Sequence, residues 1–203
     1  MIPRPVITGF LFLSVTWGVV FAGKSPDILV RETTDKVLSE LRTNHNALQA
    51  DVNRLYQIVE DIVLPHFDFK RMSKLVLGKH WKKASEVQHQ KFEREFKALL
   101  VRTYATALFE YTDQEIIYRP YRPKEGSSRV VVKTELVPSD GPMIPIDYAL
   151  SKAADDVWRV FDVRIDEISM VANYRNSYGK LIESRGMDKL IESLRRKREA
   201  LTE

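Results

Sequence analysis

Residues 85–112, SEVQHQKFEREFKALLVRTYATALFEYT, decide how this chain folds. They open with Ser85 and, three residues on, Gln88. This is a capping box, in which the Ser side chain takes a backbone N–H and the Gln reaches back to the cap residue. Phe92, Phe96, Leu99, Leu100, Tyr104, Leu108 and Tyr111 then recur along one face of a helix running to about Tyr111. Val101, Ala105 and Phe109 add a second stripe over the last turns. A helix apolar on two sides lies between two layers rather than on a surface. This one is expected to be the spine of the fold.

Upstream the spacing is helical as well. Ser25-Pro26-Asp27 is a helix start, with Pro at the position where a missing N–H costs nothing, and Val30, Val37, Leu38 and Leu41 follow at helical spacing. Leu48, Val52, Leu55, Tyr56, Val59, Ile62 and Val63 predict a second helix, ended near Leu64 because Pro65 disfavours the helical conformation before it. A shorter helix is expected from about Asp68 to Leu77, closed by Gly78.

Downstream of Thr112 the period drops from 3.6 to 2. Residues 115–119, 129–137, 143–151 and 158–165 each alternate or run apolar between turn signals such as Ser139-Asp140-Gly141-Pro142. Val130, Val132, Thr134 and Leu136 share one face; Ile144, Ile146, Tyr148 and Leu150 share another; Val160 and Phe161 on the last strand face opposite sides. Val171, Tyr174, Tyr178, Leu181 and Ile182 pattern one closing helix, which Gly186 ends, and Leu190, Ile191 and Leu194 pattern another. The reading is α+β: helices over about 25–111, a four-stranded antiparallel meander over about 114–165, and C-terminal helices over about 168–198.

Length and composition bound the function. The chain has 203 residues, 44% hydrophobic and 30% charged, which is a globular balance within one domain. It has no Cys, which removes disulfide scaffolds, Cys-based metal centres, thiol catalysis and lipoprotein acylation. Val6 to Phe21 is an almost unbroken apolar run, shorter than the ~20 residues a spanning helix needs. It ends Val20-Phe21-Ala22, the layout of a secretory signal peptide over 1–22, with cleavage expected between Ala22 and Gly23. The remaining domain, 23–203, loses only Arg4 among its charges and keeps a net charge of +3. An exported, cysteine-free chain points to a bacterial periplasm. Arg195-Arg196-Lys197-Arg198 is the one dense basic cluster, read first as the solvated face of a terminal helix and second as a contact for anionic headgroups or an acidic partner.

A search for catalytic chemistry finds no nucleophile elbow, phosphate-binding loop, dinucleotide fingerprint or metalloprotease motif. His45, His66, His80 and His89 lie in separate segments, and His89 with Glu93 is an i,i+4 pair rather than a metal site. Asp147 and Asp162, on adjacent strands, are the one carboxylate pair to weigh. In a cone-shaped pocket either could be a general base on a small apolar carbonyl substrate; otherwise they pair with Arg159, Arg164 or Lys133 across the sheet.

A longer pattern bears on this choice. Leu64-Pro65-His66-Phe67-Asp68-Phe69-Lys70-Arg71-Met72-Ser73 leads into Leu75-Val76-Leu77-Gly78-Lys79-His80-Trp81 and Ala84-Ser85, then Phe92, Phe96 and Leu99-Leu100-Val101-Arg102-Thr103-Tyr104-Ala105. Pro145-Ile146-Asp147-Tyr148, Trp158, Val160, Asp162-Val163, Ile168-Ser169-Met170-Val171 and Tyr174-Arg175 follow in order. Over about residues 28–195 this set resembles the MlaC (toluene-tolerance, Ttg2-type) family of periplasmic phospholipid-binding proteins. Glu167 departs from the family pattern, standing where Gly is usual.

The resemblance implies an NTF2-like curved sheet and a helical annex enclosing a deep apolar pocket. It implies a monomeric, non-enzymatic carrier with no cofactor and with phospholipid as cargo, in which Asp147 and Asp162 are structural. Its implied partners are an outer-membrane lipoprotein–porin complex and the substrate-binding component of an inner-membrane ABC transporter, and its implied role is to maintain outer-membrane lipid asymmetry. On that arrangement the pocket would lie between the spine helix and the apolar sheet face. Phe96, Leu100, Tyr104, Leu108, Val132, Ile146, Tyr148 and Val160 would line it, with Leu75, Trp81, Met170 and Tyr174 from neighbouring helices.

Overall fold

A computed structural model of the chain describes residues 24–110, 112–153 and 155–201. The expected signal peptide and its cleavage site lie outside them, as does Tyr111.

Helix α1 (Pro26–Thr43) starts at Pro26, with Asp27 in its first turn complementing the helix dipole. The single helix expected from Leu48 to Leu64 is two, α2 (His45–Ala50) and α3 (Val52–Ile62). Asp51 divides them. Its backbone is extended and its side chain accepts from the Asn53 N–H, so a local cap outcompetes helix continuation. The apolar stripe survives the break, because Leu48 and Leu55 remain in one core. Pro65 sits in a short 3-10 turn, Leu64–His66, and Asp68 then caps α4 (Phe69–Leu77) by accepting from Arg71 N–H. Gly78 closes α4 at φ +52, and a 3-10 segment over Gly78–Lys83 leads to α5 (Glu86–Glu110). The capping box forms in both directions: Gln88 N–H donates to Ser85 Oγ at 3.2 Å and Ser85 N–H to Gln88 Oε1 at 3.0 Å.

The strands are β1 (Glu115–Tyr118), β2 (Arg129–Val137), β3 (Ile144–Lys152), β4 (Trp158–Ile165) and β5 (Ile168–Ser169). Among the described residues they form one antiparallel meander in sequence order. The expected sheet thus gains a two-residue fifth strand at its edge. Helices α6 (Met170–Arg185) and α7 (Met187–Ala200) close the chain.

The spine expectation holds in a specific way, because α5 serves two cores. Its first half places Phe92, Phe96 and Leu99 among α4, α6 and α7 residues such as Met72, Val76, Val171, Tyr178, Leu190 and Leu194. Its second half turns Val101 and Ala105 toward α1, α2 and α3. A third cluster joins Leu29 and Val30 of α1 to Val132, Leu150, Val160 and Val163 of the sheet.

Two local features orient the far edge of the sheet. The β3–β4 register slips at Ala149/Leu150, so that Leu150 faces Val160 and Ala149 faces Asp162, leaving Phe161 as the extra residue of a β-bulge. Val160, Val163 and Ile165 consequently share the inner face, while Phe161 packs on the helical core. Asp162 is buried and works as a clamp. It accepts from Ser169 Oγ at 2.6 Å and from Val171 N–H at 3.0 Å, and so fastens β4 to the start of α6.

The β4–β5 hairpin pairs Ile165 with Ile168 across a two-residue turn, Asp166-Glu167, with φ +49 and +63. Such a turn needs positive φ at both central positions. Glu167 therefore adopts a conformation that costs an L-residue roughly 1–2 kcal/mol, against the roughly 0.4–1 kcal/mol that Gly loses through its freer unfolded chain. Glu167→Gly is expected to raise stability by about 0.5–1 kcal/mol, or about 1–3 °C in Tm. A thermal melt that leaves Tm unchanged or lower would refute the assignment of strain to this residue.

Candidate functional site

Between the second half of α5, the inner face of α1 and the inner face of the sheet lies a partly open cavity of about 340 Å³. It is the product of patterns already described. The i, i+4, i+8 row Leu100, Tyr104 and Leu108 runs along α5; Leu29, Val30, Thr33, Val37 and Leu38 face it from α1; Ile146, Tyr148, Val160, Val163 and Ile165 form the floor. Met170 closes one end, and Val63, Leu64, His66 and Phe67 close another. Among the described residues the wall contains no Asp, Glu, Lys or Arg.

Several polar groups on and behind the wall bond to one another. The Tyr148 hydroxyl bonds to Thr134 and Thr34, and burial pushes its pKa upward. Thr134 Oγ1 donates to the Ile146 carbonyl at 3.0 Å. Tyr104 bonds to Tyr174, whose own pKa is raised by burial and by that neighbour. At the margin, Tyr118 donates to Asp35 at 3.1 Å under the Arg31 guanidinium, and burial followed by Asp35 pushes its pKa up to about 12. A wall of this kind is apolar over most of its area, and among the described residues His66 at one end is its one side chain that titrates near neutral pH.

The structure divides the expected lining. Leu100, Tyr104, Leu108, Ile146, Tyr148, Val160 and Met170 are on the wall. Phe96, Leu75, Trp81 and Tyr174 are not; they belong to the helical core. Phe96 lies one turn before Leu100, but α5 has by then entered the core, and Phe96 meets Tyr174 edge-on at 5.2 Å. Trp81 stacks on His89 at 3.7 Å, pinning the 3-10 segment to α5. Val132 shares the inner sheet face but is 2% exposed, packed with Leu29 and Val30 rather than left facing the cavity. The α1 contribution, from Leu29 to Leu38, was not anticipated. Its stripe is visible in the sequence, and the interruption by Thr33 and Thr34 is the one sign that this face meets something other than a packed helix.

The alternative chemistry finds no support in the placement of the carboxylates. Asp147 lies on the outer sheet face, 3.9 Å from Lys133 Nζ, and Asp162 is engaged by Ser169 and Val171. Neither lines the cavity. His89 pairs with Glu86 rather than Glu93, and no group of metal-ligating side chains occurs among the described residues. The basic cluster is largely neutralised within its own helix: Arg195 bonds to Glu192 and Glu199, and Arg196 to Glu192, while Arg198 reaches Glu95 of α5.

These features define a class: an α+β binding protein built around an apolar cavity between a curved sheet and its helical cover. The particular family is given by comparison with known proteins. The MlaC protein family matches residues 31–196, and the chain belongs to that family. It is 28% identical over 168 residues to the toluene tolerance protein Ttg2D of Pseudomonas putida, covering 82% of this chain and 77% of that protein. It is 25% identical over 191 residues to the intermembrane phospholipid transport system binding protein MlaC of Haemophilus influenzae, covering 93% of this chain and 87% of that one. A solved phospholipid-binding protein from Ralstonia solanacearum, in complex with a phospholipid, superposes with a TM-score of 0.81 at 27% identity, covering 89% of this chain and 100% of that chain.

Two tests follow from the wall. A carboxylate placed among apolar groups costs several kcal/mol without a partner, so Leu100→Glu and Ile146→Glu should lose apolar ligand while keeping the wild-type circular dichroism spectrum. Lys133→Glu, on the outer face, should retain it. Equal ligand content in all three would show that this cavity is not the binding site. The second test concerns His66, whose pKa is held below the ordinary 6.5 by burial and then by Lys24 and Lys36. The unfolded chain therefore takes up the proton first as pH falls through about 6.5, and stability falls below that pH. Between about pH 7 and pH 5, wild-type Tm should drop more steeply than that of His66→Gln; parallel curves would remove His66 from the acid response.

Proposed function

We propose that this protein is a periplasmic phospholipid carrier whose cavity covers the acyl tails of its cargo. The single observation that carries the reading is an apolar cavity lined, among the described residues, by no Asp, Glu, Lys or Arg, in a chain whose fold matches a protein solved with a phospholipid bound. The MlaC family is one of phospholipid-binding carriers and not of enzymes. The cavity volume falls at the low end of the roughly 300–1,000 Å³ found for small-molecule sites. Wall chemistry, rather than size, therefore distinguishes a hydrocarbon cargo from a polar substrate.

The energetics favour such a device. Two acyl chains of about 15 methylenes each, at ~0.8 kcal/mol per methylene, make a free lipid in water costlier by about 20 kcal/mol in gross terms. A carrier must keep the tails covered in transit and pass them directly to a docked recipient. The headgroup can stay in water, so no buried charge is needed to balance it. Among the described residues no helix is long and apolar enough to cross a membrane, which suits a carrier that leaves one bilayer for another. On this reading the donor and acceptor are an outer-membrane lipoprotein–porin complex and the substrate-binding component of an inner-membrane ABC transporter. Export would rest on the segment 1–22.

Native mass spectrometry of protein purified from the periplasm without detergent should show about one diacyl phospholipid per chain, identifiable after extraction. Incubation of the lipid-free protein with labelled vesicles should restore that mass. A chain that is lipid-free as isolated and takes up none from vesicles would overturn the proposal.

A further inference from the structure

The helical core carries a second concavity of about 440 Å³ on its outer side, between the 3-10 segment Gly78–Lys83 and α6. It shares no lining residue with the apolar cavity. Its charged side chains are Lys79, Arg175 and Lys180 against Glu183, a formal excess of two positive charges.

Three observations give this cleft the character of a built anion site. His80 is 9% exposed, and its Nε2 is buried without a hydrogen-bond partner. That nitrogen lies 3.8 Å from Glu183 Oε1, the same oxygen that Lys79 Nζ approaches at 2.6 Å, so two nitrogens converge on one acceptor position. Arg175 uses only Nε on the protein, donating to the Leu75 carbonyl, and Lys180 has no partner among the described residues. Finally, Gly179 sits inside α6, where Gly costs about 1 kcal/mol relative to Ala, yet a Cβ there would meet nothing within 4 Å. No packing contact demands a glycine. Its bare backbone leaves the cleft floor open.

We propose that this cleft binds a phosphate group through Lys79, His80, Arg175 and Lys180. One phosphate oxygen takes the position of Glu183 Oε1, between Lys79 and His80, and a second meets the Arg175 and Lys180 donors. The free oxygens of a phosphate group, set tetrahedrally about phosphorus, present acceptor lone pairs to donors on both sides of the cleft. Glu183 is the resident anion that the ligand displaces. Its exposed side chain is free to swing outward, and Lys79, which lowers its pKa, keeps it ionised until then. The phosphate comes either from solution or from lipid headgroups at a bilayer surface. The site stands whether or not the apolar cavity carries lipid.

The test uses the full chain without residues 1–22. Amide shifts of Gly78, Gly179 and Lys180 are followed by NMR during titration with inorganic phosphate, alongside co-sedimentation with phosphatidylglycerol vesicles and with phosphate-free galactolipid vesicles. Wild type should show saturable shifts at these amides, phosphate-dependent vesicle binding, or both. Shifts without vesicle binding assign the site to free phosphate; vesicle binding assigns it to headgroups. Lys180→Gln should weaken the interaction by about tenfold or more, the worth of one charge-assisted hydrogen bond. Gly179→Leu should weaken it at least as much, although it leaves the charge unchanged and favours the helix, so misfolding does not confound it. Glu183→Gln, by removing the competing carboxylate, should tighten binding several-fold. All three variants should retain wild-type cavity ligand by native mass spectrometry. Absence of both phosphate shifts and phosphate-dependent vesicle binding, equal binding by Gly179→Leu and wild type, or weaker binding by Glu183→Gln would overturn the proposal.

Discussion

A protein interior closes on itself unless something outside the gap holds its walls apart, and this constraint governs the rest of the structure. Interiors pack at about 0.74 density, and missing contacts cost about 24 cal/mol per Å³ of void. An apolar cavity held open forfeits contacts that the rest of the fold must supply. The walls therefore need anchors elsewhere. Helix α5 supplies one: Phe92 and Phe96, both fully buried, lock its first half into the α4–α6–α7 core, so its second half can present Leu100, Tyr104 and Leu108 to open space. The sheet supplies the other. Asp162 ties β4 to α6, and the bulge at Phe161 turns one large side chain into the helical core while its neighbours face the cavity.

Polar chemistry is arranged around this requirement. Carboxylates that might have served as bases are committed to structural tasks on the far side of the sheet or at a helix start. Glu95, 4% exposed in the middle of α5, is balanced by Arg198 of α7 at 2.9 Å and by Arg94 at 3.1 Å, so the most deeply buried charge in the helical core is also a tie between two helices. Hydroxyls on and behind the cavity wall pair with one another, Tyr148 with Thr134 and Thr34 and Tyr104 with Tyr174. What remains on the cavity wall is a surface that accepts hydrocarbon at little polar cost.

Much of this was legible in local pattern. The capping box at Ser85, the stop at Gly78 and the switch of period after Thr112 depend on residues close in sequence, and the structure reproduces each. Where the reading erred, a nearby competitor or a distant neighbour decided. Asp51 broke a helix that hydrophobic spacing ran straight through, because a side chain can cap backbone N–H groups at almost no cost in burial. Phe96 and Leu100 are one turn apart on the same stripe, yet one fills a core and the other borders a void.

The amino-acid sequence by itself determined the elements, their order, the two apolar sides of α5, the alternation of the strands and the family pattern, since all of these are periodicities or short-range caps. Only the tertiary structure decided which apolar faces meet and which stay apart. Periodicity says that a face avoids water; it does not distinguish a neighbouring side chain from an acyl chain as the thing that covers it. That choice rests on helix α1 lying across the sheet, on the one-residue slip in β4 and on the anchoring of α5, all contacts between residues far apart in the chain.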